Sequence, residues 1–311
     1  DRLLDNSLNF AAETGDQSGF TFAFKGLFGL YPGKYTAMPY YMKVQEYGAI
    51  ENRDLWEYRL EFTPEETARL AAHAWELGLA EFRYYFFSKN CSYQLMPALE
   101  AVSPRRTLFP GSPPIVGPVD TVLAVASAPG LVRETVYRPS HATALRQRRA
   151  LLTTPERRAA WEYAAGRPAA GDTLSDSFTP ERRALTLEAA HDLVLYRHGF
   201  NPEIAPRVRE LERPILVRRG RLEAEPPAPK RPEWAAPPHE GHRRKRLMAG
   251  GGARRGGGFA ELAWRPGLHS LEDAPRAYLP ANAIEGMTAR LRYDAQTDRP
   301  YVRDLRAIDI V

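Results

Sequence analysis

RYYFFSKNCSYQLMPALEAV, residues 83–102, holds the single cysteine of the chain. Asn90 is a favoured N-cap residue, so a helix is expected to begin with Cys91 at its first position. Unpaired amide N–H groups and the positive end of the helix dipole favour a thiolate there. A thiol so placed can ionise well below its free value near ~8.5, and Lys89 adds a neighbouring positive charge. Leu95, Leu99 and Val102 follow at helical spacing, which assigns Cys91 to the face turned toward the core. Pro97 removes one backbone hydrogen bond, worth roughly 3 kcal/mol in a regular helix interior, and predicts a bend or a restart. Cys91 therefore reads as a nucleophile whose base comes from a neighbouring element. The plainer reading is a small buried hydrophobe.

Outward from this segment, residues 1–62 read mainly as β-structure and turns. Pro32-Gly33 carries the signature of a type II turn. In LWEYRLEF, 55–62, Trp56, Tyr58, Leu60 and Phe62 alternate with Glu57, Arg59 and Glu61, the pattern of a strand with one buried face. Three helices announce themselves by Thr-Pro-Glu starts at Thr63, Thr154 and Thr179. LFPGSPPIVGPVD, 108–120, reads as an extended loop, and DTVLAVAS, 120–127, as a short helix. Residues 138–222 are Arg-rich and helical in pattern. Residues 223–257 read as a linker, with six prolines between 223 and 240, the basic run RRKR (243–246) and a glycine cluster. From residue 258 onward the pattern is β again. In MTARLRYD, 287–294, Met287, Ala289, Leu291 and Tyr293 alternate with polar residues, and a polar turn leads into YVRDLRAIDIV, an amphipathic hairpin.

The composition excludes some classes. One cysteine makes no internal disulfide and no cysteine-based zinc site. No apolar run is long enough for a membrane-spanning helix. The net charge of +5 rests on 37 arginines and six lysines. Such a charge permits contact with phosphates or anionic lipid. The basic run has no interleaved aromatics and belongs to no nucleic-acid module, so no nucleic acid is expected as partner.

Three separated stretches carry a more specific signal: SLNFAAETGDQSGFTFAFKGLFGLYPGKY (7–35), YYMKVQEYGAIENRDLWEYRLEFTPEE (40–66) and FRYYFFSKNCSYQLMPALE (82–100). In this order they resemble the Lnb N-terminal periplasmic domain, a bacterial family of uncharacterised-domain origin, over residues 1–137. The resemblance implies an α+β fold, a circularly permuted relative of papain-like NlpC/P60 and lecithin-retinol acyltransferase-like cysteine enzymes. It also implies an acyl-thioester mechanism: Cys91, with Asn90 beside it, takes an acyl group from phospholipid and passes it to an amine such as a lipoprotein N-terminus. A related outcome is hydrolysis of peptide or amide bonds in the cell envelope, and a third is a non-catalytic module with a structural cysteine. Residues 241–280, with Arg265, Pro266 and His269, resemble the opening of the membrane-associated β-region that follows this domain. The implied location is the periplasm or outer membrane of a Gram-negative bacterium, and the implied partners are lipids, with no metal or other cofactor.

In the family the base is a histidine of a Gly-His-Thr or Gly-His-Ser segment, which this sequence lacks. The expectation is that it precedes residue 1 and that the β-region continues past residue 311. Within the chain, His141 is the weaker candidate base. Tyr31, Lys34, Arg53 and Tyr93 are candidates to line the substrate cleft, with Lys34 and Lys25 facing lipid phosphate. His239 and His242 form H-E-G-H, which lacks the helical spacing of a zinc motif.

Overall fold

The computed structural model describes residues 4–15, 18–103, 107–108, 115–198, 205–232, 234–254, 257–279 and 281–310. The expected loop at 108–120 is described only in part, because residues 109–114 lie outside these. The architecture is α+β, as the sequence predicted. The chain forms two compact units. One comprises residues 1–7, 37–58 and 135–232, the other residues 8–36, 59–134 and 233–311.

The first unit is built on five helices: α6 (His141–Leu151), α7 (Thr154–Ala164), α8 (Pro168–Ser175), α9 (Pro180–His198) and α10 (Ala205–Gly220). Its core is Leu152, Ala160, Tyr163, Leu185, Leu187 and Val194 with their small neighbours. Helix α7 starts one residue earlier than the Thr-Pro-Glu reading placed it. The cap is Thr153, whose amide and hydroxyl both donate to Glu156, and Thr154 becomes the first helical residue. Glu156 is itself buried and takes a guanidinium from Arg182. The other two starts stand as read: Thr63 forms a capping box with Glu66, and Thr179 accepts the Arg182 amide. Also in this unit, α2 (Tyr40–Gln45) runs into a π-helical turn, Glu46–Ile50.

The second unit holds a three-stranded sheet, β1 (Asn6–Ala12), β2 (Tyr31–Pro39) and β4 (Glu81–Tyr84), with β2 central. The expected turn at Pro32-Gly33 is instead strand: Pro32 pairs with Arg83 and Gly33 with Phe82. Pro32 is the second residue of β2, and its carbonyl accepts the Glu13 amide at 2.9 Å. Glycine is needed because the Phe10 ring fills the place of its side chain, 2.4 Å from a Cβ built there. A second correction concerns Gly19–Phe28, part of the stretch read mainly as β but folded as helix α1. Ser18 accepts the Thr21 amide at its start, and Gly29, at φ +68°, closes it in the left-handed conformation.

The strand LWEYRLEF is β3, Leu55–Leu60, paired with β5 (Val132–Arg138) in a two-stranded ribbon. Its residues are all half-buried, not buried on alternate sides. The polar side is covered because Glu57 binds Arg138 and Tyr40, and Arg59 binds Glu134. Helix α3 (Pro64–Leu77) reaches α4 (Cys91–Val102) through Ser103, whose hydroxyl donates to Glu66 at 2.7 Å. Met96, Leu108, Val125 of α5 (Pro118–Ser127) and Leu131 form the core around α4.

The third correction concerns the linker. Its glycine cluster forms strands β6 (Arg246–Arg254) and β7 (Gly257–Arg265), paired antiparallel. They continue into β9 (Ile284–Asp294) and β10 (Arg299–Ile310), in the order β10-β9-β7-β6, with β8 (Gly267–His269) also on β9. The predicted hairpin is β9–β10. Its polarity is inverted relative to a water-soluble sheet. Leu247, Leu262, Trp264, Leu291, Val302 and Leu305 are exposed. The pairs Leu247–Trp264, Leu262–Leu291 and Leu291–Val302 place most of them on one face. On the other face Glu261 receives Arg292 and Arg303, each at 2.7 Å, and Thr288 and Asp294 are buried.

The basic run is structural. Arg244, buried, donates to Asp120 at the start of α5, to the Ile115 carbonyl at 2.7 Å and to the Pro266 carbonyl at 2.5 Å. Arg246 and Arg265 both bind Asp273.

Candidate active site

Cys91 opens α4. Asn90, in extended conformation, accepts the Tyr93 amide at 3.1 Å, so the N-cap follows the sequence reading. The same side chain does more than cap. Its amide donates to the carbonyls of Val116 (2.8 Å) and Phe86 (3.2 Å), and its oxygen also accepts the Ser92 hydroxyl at 2.9 Å. A buried asparagine with all these bonds holds three segments together: the loop before the helix, the helix start and the approach to α5.

The expectation that Cys91 faces the core is overturned. Cys91 is exposed, as is Leu95, while Ser92, Gln94, Met96, Ala98 and Val102 are buried. The aliphatic spacing at Leu95, Leu99 and Val102 misassigned the face, because Ser92 and Gln94 are covered by their own hydrogen-bonded surroundings. The helix runs unbroken through Pro97, with no restart.

The group against Cys91 is Tyr84, at the end of β4. Its phenol oxygen accepts the Cys91 amide at 3.4 Å. Burial, then the Cys91 thiol's charge and hydrogen bond, push its pKa up to about 12. The phenol therefore keeps its proton at neutral pH and can donate it to sulfur. Phe10 stacks on the Tyr84 ring at 5.7 Å and 12°, which fixes its direction. The sheet is joined to α4 from the other side by Tyr35, whose hydroxyl donates to the Gln94 carbonyl at 2.7 Å. The sequence did not single out Tyr84 as a partner of the thiol. Seven residues separate it from Cys91, and only the fold-back of residues 85–90 brings the two together.

The other predicted residues are dispersed. Tyr93 is half-buried one turn from Asn90. Tyr31 is buried under α1 against Phe86 and Phe22 and is closed to a ligand. Lys34, farther along β2, is engaged by Glu13 at 2.9 Å and by Glu81, which together raise its pKa. Arg53 belongs to the other unit, where it is exposed and pairs with Glu51. His141 is also in that unit, half-buried at the start of α6, and burial lowers its pKa while Asp192 opposes the shift. Among the described residues no histidine hydrogen-bonds to Cys91.

A second cluster of titratable groups sits in the β-region. His242 and His269 meet nitrogen to nitrogen at 2.7 Å, with Asp273 behind them and Tyr278 stacked on both rings. These three side chains could converge on a cation. The Asp273 charge, however, is already committed to Arg265, Arg246 and the Ser270 amide. Two guanidinium groups beside the carboxylate oppose a metal ion, and the nitrogen separation is that of a hydrogen bond. Burial works to raise the Asp273 pKa, but the Ser270 amide and Arg265 outweigh it and hold it at about 2. A carboxylate depressed in the folded state contributes stability above its unfolded value near ~3.9 and loses it as the pH falls through the folded one. Between pH 4 and pH 2 the chain is therefore expected to lose about 2 kcal/mol more than the Asp273→Asn variant does. Urea unfolding across that range measures the difference.

Comparison with known proteins finds three family-model matches along the chain. Residues 1–128 match the family model of the Lnb N-terminal periplasmic domain. Residues 135–231 and 235–311 match two domains of unknown function, DUF7842 and DUF7840. No curated protein and no solved structure matches the chain.

Proposed function

From the match of residues 1–128 to the Lnb N-terminal periplasmic domain, we propose that the protein is an envelope thiol acyltransferase acting through Cys91. The observation that carries the reading is an exposed thiol at the first position of an Asn90-capped helix, with the protonated Tyr84 phenol against it. The sulfur attacks the ester carbonyl of a phospholipid. A C–S bond forms, the C–O bond breaks, and the thiol proton ends on the departing lysophospholipid hydroxyl. An amine, such as a lipoprotein N-terminus, then attacks the thioester. A C–N bond forms, the C–S bond breaks, and the amine proton returns to sulfur. The helix-start amides favour the negative charge that develops on sulfur and on the carbonyl oxygen, and Tyr84 supplies a further donor.

The family is a periplasmic one, and the protein is an envelope protein. Among the described residues no helix is long and apolar enough to cross a membrane. The apolar outer face and charged inner face of the β6–β10 sheet support association with the outer membrane, since strands facing lipid alternate in this sense.

The test is intact-mass analysis after incubation with phosphatidylglycerol. With the family's Gly-His segment supplied upstream, a fatty-acyl adduct is expected on Cys91, absent from Cys91→Ser and formed roughly tenfold more slowly by Tyr84→Phe. Cleavage of peptidoglycan fragments without an adduct would replace this reading with a hydrolase. Absence of both activities, with Cys91→Ser only lowering the melting temperature, would leave the cysteine a structural role.

A further inference from the structure

Helix α1 presents its apolar stripe to solvent. Phe20, Phe24, Leu27 and Phe28 follow one another at i, i+4, i+7 and i+8, the spacing that ordinarily marks a core-facing side. Here they are 82%, 47%, 49% and 59% exposed, and Leu30, just past the helix, is 54% exposed. The Phe24 and Phe28 rings pair at 4.7 Å, so the stripe is a continuous ridge. The opposite side is the one that packs. Phe22 meets Phe86 and Tyr31, and Gly26 and Gly29 lie so close to the Phe86 and Tyr85 rings that a Cβ would sit 2.2 Å from each. The helix thus seats its small residues against two rings, with Phe22, 42% exposed, packed beside them and the other large residues turned out.

We propose that α1 is an interfacial anchor that seats this ridge in a lipid surface. The charge around the ridge favours lipid over a protein partner. The helix contains no acidic residue, and its one charge is Lys25, whose ammonium lies over the Tyr31 ring at 5.8 Å. Lys89 lies on the loop that supports α1, where its carbonyl accepts the Tyr85 amide. Among the described residues neither lysine has a carboxylate partner. Aromatic side chains that enter the acyl boundary while lysines meet anionic headgroups are the pattern of a helix lying in the membrane plane. A second copy of the chain fits less well. Five partly exposed large side chains offer roughly 500 Å² of apolar surface, short of the roughly 800 Å² per partner of a standard interface.

The anchor also reaches the reactive segment. Phe86, which packs into the Gly26 gap and donates its amide to the Gly26 carbonyl at 3.0 Å, has its own carbonyl held by Asn90. One residue therefore links the ridge to the cap of the Cys91 helix. Binding itself does not require the thiol, so the inference stands or falls apart from the thioester chemistry.

The test uses the whole chain with a Cys91→Ser background, a polarity-sensitive dye on Ala23→Cys, exposed beside the ridge one turn from Phe20 and Leu27, and, as control, the same dye on Glu76→Cys of α3. Vesicles are of phosphatidylcholine alone or mixed with phosphatidylglycerol. Expected are a blue shift at position 23 but not at position 76, stronger binding to the mixed vesicles, and a loss of about tenfold in binding for Phe20→Ser/Phe24→Ser/Leu27→Ser. That triple change leaves the Gly26–Phe86 contact intact, and circular dichroism checks its fold. Three results would each overturn the proposal: no vesicle binding, binding without a shift at position 23, or a lipid-free dimer that the triple variant dissociates.

Discussion

Asn90→Ala is expected to destabilise the protein by about 3 kcal/mol. The loss of the cap alone costs about 1 kcal/mol, because the Tyr93 amide is left without its acceptor. The larger part comes from the carbonyls of Val116 and Phe86, which lose their donor in a buried place, at about 1 kcal/mol or more each. Asn90→Ser retains an acceptor for the helix amide but cannot reach both carbonyls, so it should fall between wild type and alanine. Urea unfolding of the three proteins orders them. Equal stability of serine and wild type would mean that the cap alone matters and that the tie across residues 86 and 116 does not. The same series should affect Cys91. Loosening the helix start moves the thiol away from Tyr84, and alkylation by iodoacetamide then departs from the wild-type rate in alanine more than in serine.

Gly26→Val carries the second large effect, and its sign opposes helix propensity. In an exposed helix interior, replacing glycine by a residue with a side chain gains a fraction of a kcal/mol. At residue 26 the added Cβ meets three ring atoms of Phe86 at 2.2–2.5 Å. The ring is itself packed against Phe22 and Tyr84, so it has little room to give. We expect a loss of about 3 kcal/mol, the upper end of what overpacking costs. Phe86→Ala in the same background should restore part of it by opening the space. Thermal melting of the single and double variants reads both values. A Gly26→Val protein as stable as wild type would show that α1 lifts freely off the sheet, which would also weaken its claim to be a rigid anchor.

Both effects meet at residues 84–91, the segment where reading the sequence succeeded in part. Asn90 as cap and Cys91 as first helical residue were legible because a short side-chain acceptor before a helix acts locally. The helices beginning near Thr63, Thr153 and Thr179 and the β9–β10 hairpin were legible for the same reason. The side of α4 on which the thiol stands was not legible, because burial depends on which partners cover Ser92 and Gln94. Helix α1 lay in a stretch read mainly as β, and neither its Ser18 cap nor the close seat of Gly26 and Gly29 on two rings was picked out there. The Gly/Arg run at 243–258 looked like a linker by composition. Arg244 and Arg246 proved to be ties because their carboxylates lie 124 and 27 residues away in the chain.

By itself, then, the order of residues determined the local events: the family motifs, the caps, the lone thiol at a helix start and the alternation of the terminal strands. Tertiary structure alone decided that Tyr84 meets that thiol, that a phenylalanine ridge is left facing outward, and that the alternating sheet turns its charges inward. The physical reason is range. Capping and alternation act over four residues or fewer, whereas burial, ring packing and ion pairing depend on groups that the chain brings together from far apart.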